Sequence, residues 1–487
     1  MLQELMASQK HQSPWSQQGS SPALPLATTF AMALAMALSG CSSWSPSTQG
    51  VPDVAVPAAW SIDASPTSAT TIPLPASSLA QWWQRFNDPL LSTLVAQALQ
   101  TNTSIWSAQG ALQQSRALRD VKTAGLLPGV SASGSAQRSQ SGDNDASNSF
   151  RVGLDADWEL DVFGGKRSAL NAAEADAQAA EASLADVQVS MAAEVALAYI
   201  QLRGQQAQLM IARNNLESQQ ETLQITDWRA QAGLITSLEV EQARTASEQT
   251  GAQIPTLEAN IAKTRHALAV LTGQPPAALE LLLAATQPVP QAAQDLALSI
   301  PAQTLRQRPD VRAAEHRISA ALARVSVADA ARYPSFSISG SLGLSALTVG
   351  ALSDGASVVS ALLGSVSVPL FDGGAARAQV RAQEAALEQA RASYQAIVLT
   401  ALKDVEDALV ALRGDRARLT HLQSAAIAAG NADLLAQNRY SSGLIDFQIV
   451  LQTQRALLTA QDSVASASAD ISADLVRLYK ALGGGWY

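Results

Sequence analysis

The chain has 487 residues, a net charge of −9, 5% aromatic residues and one cysteine, Cys41. It holds no block of lysine and arginine, which argues against a nucleic-acid partner, because phosphate binding needs clustered positive charge. A lone cysteine excludes an intrachain disulfide and a cysteine-rich metal site. His11, His266, His316 and His421 have no zinc spacing, so no metal and no cofactor is expected.

In chain order, the first feature is an address. Ala31 to Leu38 is apolar, too short to span a bilayer, and ends in Ser39, Gly40 and Cys41. Small residues before a cysteine resemble the bacterial lipobox. Residues 1–40 are therefore expected to be a signal peptide, Cys41 the lipidated first residue, and 41–88 a lipid-anchored linker. Ser42, a residue other than aspartate after that cysteine, is compatible by analogy with sorting to an outer membrane.

The rest is one unit written twice. Pro128–Ser135 resembles Pro334–Ser341, and Phe163, Gly164, Gly165 and Arg167 resemble Phe371, Gly373, Gly374 and Arg377. Leu202-Arg203-Gly204 recurs as Leu412-Arg413-Gly414, and Arg229 with Gly233-Leu234-Ile235 recurs as Arg439 with Gly443-Leu444-Ile445. The order is kept at a spacing of about 210 residues, the mark of duplication. The first repeat is assigned to 89–287, a Pro-rich linker to 288–301, and the second repeat to 302–487. Each should run helix, two strands, very long helix, tight turn, helix.

Phe150–Asp161 alternates apolar and polar almost without fault. Phe150, Val152, Leu154, Ala156, Trp158 and Leu160 share one face, and Arg151, Gly153, Asp155, Asp157, Glu159 and Asp161 the other. Phe336–Leu344 repeats the pattern, and Val366, Val368 and Leu370 alternate with serines. The runs after Arg167 and Ala375 lack proline and approach ~100 Å as helices, far beyond a compact domain. Val398, Leu402, Val405, Leu409 and Leu412 step like a coiled-coil seam.

Alternation alone fits a soluble sandwich as well as a membrane strand. Four strands cannot close round a lumen, and in lipid their edges would leave backbone groups unpaired at several kcal/mol each. Three chains pool twelve strands. The expected fold is α+β: a trimeric twelve-stranded transmembrane β-barrel continued by a long α-helical tunnel. Asp155, Asp157 and Glu159 would then face the lumen.

Trp158-Glu-Leu-Asp-Val-Phe-Gly-Gly-Lys-Arg167, Arg308-Pro309-Asp310-Val311, Val368-Pro-Leu-Phe-Asp-Gly-Gly374 and Leu478-Tyr-Lys-Ala-Leu-Gly-Gly-Gly-Trp486 resemble the TolC-type outer-membrane efflux factors, in their lipoprotein branch. The resemblance runs from about Trp82 to the C-terminus. It implies a homotrimer in outer-membrane lipid that extends into the periplasm, docked to a periplasmic adaptor and an inner-membrane efflux pump, with the pump choosing the cargo. It also implies that Arg229, Gly233, Leu234, Arg439, Gly443 and Leu444 form the periplasmic tip where the adaptor docks. In the family a carboxylate and a tyrosine near the tip can bond. Here these are Glu239 and Tyr440, expected to bond and help hold the entrance shut. Ile445 stands where relatives can carry an arginine, and Ile449 and Gln452 where they can carry an acidic entrance ring, with Asp446 the nearest carboxylate here.

The expected function is export of small molecules. The alternatives are a protein-secretion duct and a lipid-anchored coiled-coil scaffold without a pore. An enzyme is not expected, since no Gly-x-Ser-x-Gly, Walker loop or metal pair is present. No methionine cluster suggests handling of soft metals.

Overall fold

The structure, a computed structural model, describes residues 52, 80–143, 145–292 and 302–484. Cys41, the expected signal peptide and most of both linkers lie outside these residues.

After a short 3-10 turn at Trp82–Phe86 come α1 (Pro89–Thr101), α2 (Thr103–Ala124), β1 (Gly129–Ser139), β2 (Ser147–Leu160), α3 (Gly165–Gln231) and α4 (Ser237–Leu271). The second half follows the same order with one helix ahead of its strands in place of two: α5 (Pro309–Ala330), β3 (Ser335–Ala346), β4 (Val358–Ser367), α6 (Ala375–Ser441) and α7 (Phe447–Ala481). The single helix expected before β1 is broken in two. Asn102 adopts an extended conformation, and its carboxamide accepts from the amides of Ser104 and Ile105, starting a new helix.

α3 and α6 have 67 residues each, and α4 and α7 have 35 each. Such lengths are stable only where an apolar stripe packs on a neighbour. α3 packs on α2, α4, α5 and α7, and α6 packs on α5 and α7. Val398, Val405, Leu409 and Leu412 are buried, as their spacing predicts. At Gly204 the helices approach so closely that an added Cβ would sit 3.1 Å from the Cβ of Ala469 on α7.

A core crosses the bundle at mid-height of α3. Trp82 stacks on Tyr479 with ring centroids 5.4 Å apart. Arg203, 1% exposed, donates to the Ala285 carbonyl and to Gln206 Oε1, both at 2.7 Å, and to the Tyr199 hydroxyl at 3.0 Å. Tyr199 in turn donates to Asp88 Oδ2 at 2.7 Å. Burial, reinforced by the Asp88 bond, pushes the Tyr199 hydroxyl up to about 12. This chain of charged and polar partners ties α1 to α3 and to the segment after α4. Both terminal nitrogens of the buried guanidinium are satisfied inside the protein, while its Nε has no partner among the described residues.

The strands form one antiparallel sheet in the order β1-β2-β3-β4. β2 pairs with β3 from Phe150 opposite Ala346 to Leu160 opposite Phe336. The last strand departs from expectation. It spans Val358–Ser367, so Val368 and Leu370 lie past its end. Pro369 has no N–H to give a ladder, which ends the strand there.

Gly204→Leu should force α3 off α7 and destabilise the protein by about 1–3 kcal/mol. A lowered thermal midpoint, followed by tryptophan fluorescence, is the expected result.

Candidate functional site

Two regions carry the features expected of a conduit: the faces of the sheet and the tips of the two long hairpins.

On one face of the sheet, Val130, Val152, Leu154, Leu342, Leu362 and Val366 are all more than half exposed. Register places them side by side across the four strands. So broad an exposed apolar surface marks a membrane or a partner. The opposite face carries Asp155, Asp157 and Glu159. Ser133 donates to Asp155 Oδ2 and Ser339 to Asp157 Oδ1, both at 2.7 Å, and Glu159 pairs with Lys166 at 3.2 Å. The three expected acids thus share one polar face, each fixed by a neighbour.

Where strands become helices, aspartates cap the turn. Asp161 accepts from the amides of Lys166 and Arg167, both at 2.9 Å. Asp372 accepts from Gly374 and Ala376, both at 2.8 Å. Those backbone bonds hold the Asp372 carboxyl below its ordinary value. A negative charge at the start of a 67-residue helix also meets the positive end of its dipole. The sequence motifs contain both residues but did not reveal their capping role, although an Asp ahead of a Gly-Gly corner is a capping signal.

The tips are near-copies. Gly233 and Gly443 both have φ of 72°, a left-handed conformation that reverses the chain after a helix. The amides of Leu234 and Leu444 bond back to the carbonyls of Arg229 and Arg439, each at 2.9 Å. Leu234 and Leu444 are both 73% exposed. Arg229 joins one tip to the other. Its guanidinium lies 4.9 Å from the Tyr440 ring centroid and donates to the carbonyls of Tyr440 at 3.4 Å and Ser441 at 3.1 Å. Arg439, its repeat equivalent, is exposed, and its side chain has no hydrogen-bond or ion-pair partner among the described residues.

The expected Glu239–Tyr440 hydrogen bond is not formed. The Tyr440 hydroxyl and Glu239 Oε2 are both buried without a partner among the described residues. The two side chains are neighbours: burial first, then the Glu239 charge, raises the Tyr440 phenol, while Arg229 opposes. The ring is held by the guanidinium above it and by Phe447, 5.2 Å away, rather than by its hydroxyl. Asp446 precedes α7, exposed and without a capping bond from its side chain.

Above the tips, a groove of about 810 Å³ runs between α3, α6 and α7, lined in part by Gln219, Asp433 and Gln454. Asp433 accepts from Gln437 at 2.9 Å and Thr453 at 3.2 Å. Burial nonetheless pushes its carboxyl above its ordinary value. The groove brings together no acid, base and nucleophile set that would suit catalysis.

The sequence matches the family described as "Outer membrane efflux protein" over residues 94–274 and 300–484. The chain belongs to this family. It is 34% identical to the pyoverdine export outer membrane protein OpmQ of Pseudomonas putida, over 93% of this chain and 96% of that relative. It is 32% identical to outer membrane protein OprJ of Pseudomonas aeruginosa, over 83% of this chain and 86% of that one. Among solved structures, the outer-membrane channel OprN superposes with a TM-score of 0.82 at 37% identity, covering 90% of this chain and 99% of that one. CusC superposes with a TM-score of 0.75 at 25% identity, covering 89% of this chain and 99% of that one. The chain is therefore an efflux channel component of the outer membrane and not an enzyme, with the TolC-type fold of barrel strands and helical tunnel.

Arg229→Met should strip two carbonyls and a ring of their cation and loosen the tips by about 1.5–3 kcal/mol. Faster amide exchange over residues 438–446 is the measurement. Tyr440→Phe removes an unpartnered hydroxyl and should leave that exchange unchanged. For Asp433, a carboxyl raised in the folded state stabilises most when protonated, and that contribution is lost as pH rises through its folded value. Asp433→Asn should therefore raise the thermal midpoint at about pH 7, with the gain shrinking towards about pH 4.

Proposed function

We propose that three copies of this chain pool their sheets into a twelve-stranded barrel and carry small molecules outward, receiving them from an inner-membrane pump through a periplasmic adaptor. The single observation that carries this reading is the sheet. It has two open edges, one broad apolar face and one acidic face. In lipid the edges demand partners, and identical chains supply them with closed symmetry.

Within this reading, the face of Asp155, Asp157 and Glu159 lines the lumen and favours cations. The tips are the periplasmic entrance. Leu234 and Leu444, exposed to the same degree on near-identical turns, offer an adaptor a repeated apolar foothold. Arg229 holds paired tips together at Tyr440, with Glu239 beside that ring, and Asp446 starts the next helix as a further acid of the entrance. Cys41, acylated after removal of residues 1–40, would add a lipid anchor to the barrel. A relative named for pyoverdine export supports a small-molecule cargo.

The native mass of the detergent-extracted protein tests the assembly: a trimer is expected, and a monomer would sink the pooled barrel. In planar bilayers, Asp155→Asn with Asp157→Asn should lower the cation-to-anion permeability ratio severalfold. An unchanged ratio would remove these acids from the lumen. Radiolabelled palmitate should label the wild-type chain and not Cys41→Ser.

A further inference from the structure

In the proposed trimer, first and second repeats alternate round the ring. Every second repeat then meets the first repeat of the next chain. The seam between repeats inside one chain is visible, and its contacts can be carried over by repeat equivalence.

Three of those contacts find their equivalents unpartnered in the single chain. Gly204 abuts Ala469, and alignment of Gly233 with Gly443 carries this pair onto Gly414 and Ala259. Gly414 has nothing within 4 Å of an added Cβ, and Ala259 is exposed. Phe163 stacks on Tyr333 with centroids 4.9 Å apart. Alignment of Phe163 with Phe371 and of Pro128 with Pro334 carries this pair onto Phe371 and Leu127, which are 93% and 66% exposed. Arg229 grips the carbonyls of Tyr440 and Ser441, and the same alignment carries it onto Arg439 facing Ala230 and Gln231. Arg439 is exposed where Arg229 is half-buried. The strands obey the same rule: Asp157 opposite Ser339 becomes Ser365 opposite Ser133, on the two open edges.

In a trimer whose seam between chains follows the seam between repeats, we propose that Arg439 of each chain clamps the next chain. It donates to the carbonyl oxygens of the partner subunit's Ala230 and the partner subunit's Gln231. Arg439 is a positioning residue. Six arginine clamps, three within chains and three between them, then encircle the entrance. Since Ala230 stands where the second repeat has Tyr440, the clamp between chains lacks the aromatic ring that backs Arg229, and is the weaker of the two. This inference rests on the trimeric reading above.

Two cysteine pairs in the full-length protein, studied in membranes, test it. Ser133→Cys with Ser365→Cys should oxidise to covalent species of up to about three times the chain mass. β1 and β4 are opposite edges of one sheet, so a single chain cannot close that bond. Gln231→Cys with Arg439→Cys, bridged by a bifunctional thiosulfonate of about an arginine's length, should give the same ladder. Both ladders support the proposal. A first ladder without any band between chains from the second pair overturns the clamp and leaves the trimer standing. A trimeric native mass with no first ladder overturns the copied seam. A monomeric native mass overturns the trimeric reading, and the seam with it.

Discussion

A backbone amide in hydrocarbon must find a partner, and most of this molecule follows from that requirement. The sheet satisfies it internally through three antiparallel ladders and leaves it unmet along β1 and β4. A soluble protein would blunt those edges with charge or proline. Here, apart from Gln137 and Arg138 at the far end of β1, the edge residues are serine, glycine, alanine, valine and leucine, which do nothing to prevent pairing. The helices answer the same demand differently, each pairing its own backbone and needing only side-chain stripes to hold it in place. A wall built from both can pass from lipid to water without a break, provided the corner between them is secured. Asp161 and Asp372 secure it by capping the first turns of α3 and α6.

How much of this could be read beforehand depends on how local the physics is. β2 was legible because its two faces meet unlike surroundings, so the alternation from Phe150 to Leu160 is nearly complete. β4 was misplaced because Val359, Ala361 and Leu363 fall on the row opposite Val358 and Leu362. Both rows are apolar there and the alternation vanishes. The long helices were legible from the absence of proline and from the heptad steps. The break at Asn102 was not, since a single capping side chain makes it.

The candidate site divides along the same line. The two tip turns are local, and glycine with leucine marks them in sequence. What joins them is not local. Arg229 meets Tyr440 only because two hairpins from opposite halves of the chain are packed side by side. The expected bond between Glu239 and Tyr440 named neighbouring side chains but assigned them an interaction that is not made. A guanidinium over the ring and Phe447 beside it already fix the tyrosine. The Arg203 cluster was missed for a similar reason, since its partners lie on α3, on the turn before α1 and on the segment after α4.

The equal lengths of α3 and α6, and of α4 and α7, set a rule for how such a wall can be altered. The helices stand like the staves of a cask, and a cask keeps a level rim only when its staves match. A heptad removed from one repeat alone would leave alternate tips at two heights, by about 10 Å. The same heptad removed from all four helices at matching positions would shorten the wall and keep the rim level. Duplication therefore binds the two halves to change their length together, while the side chains along them remain free to diverge.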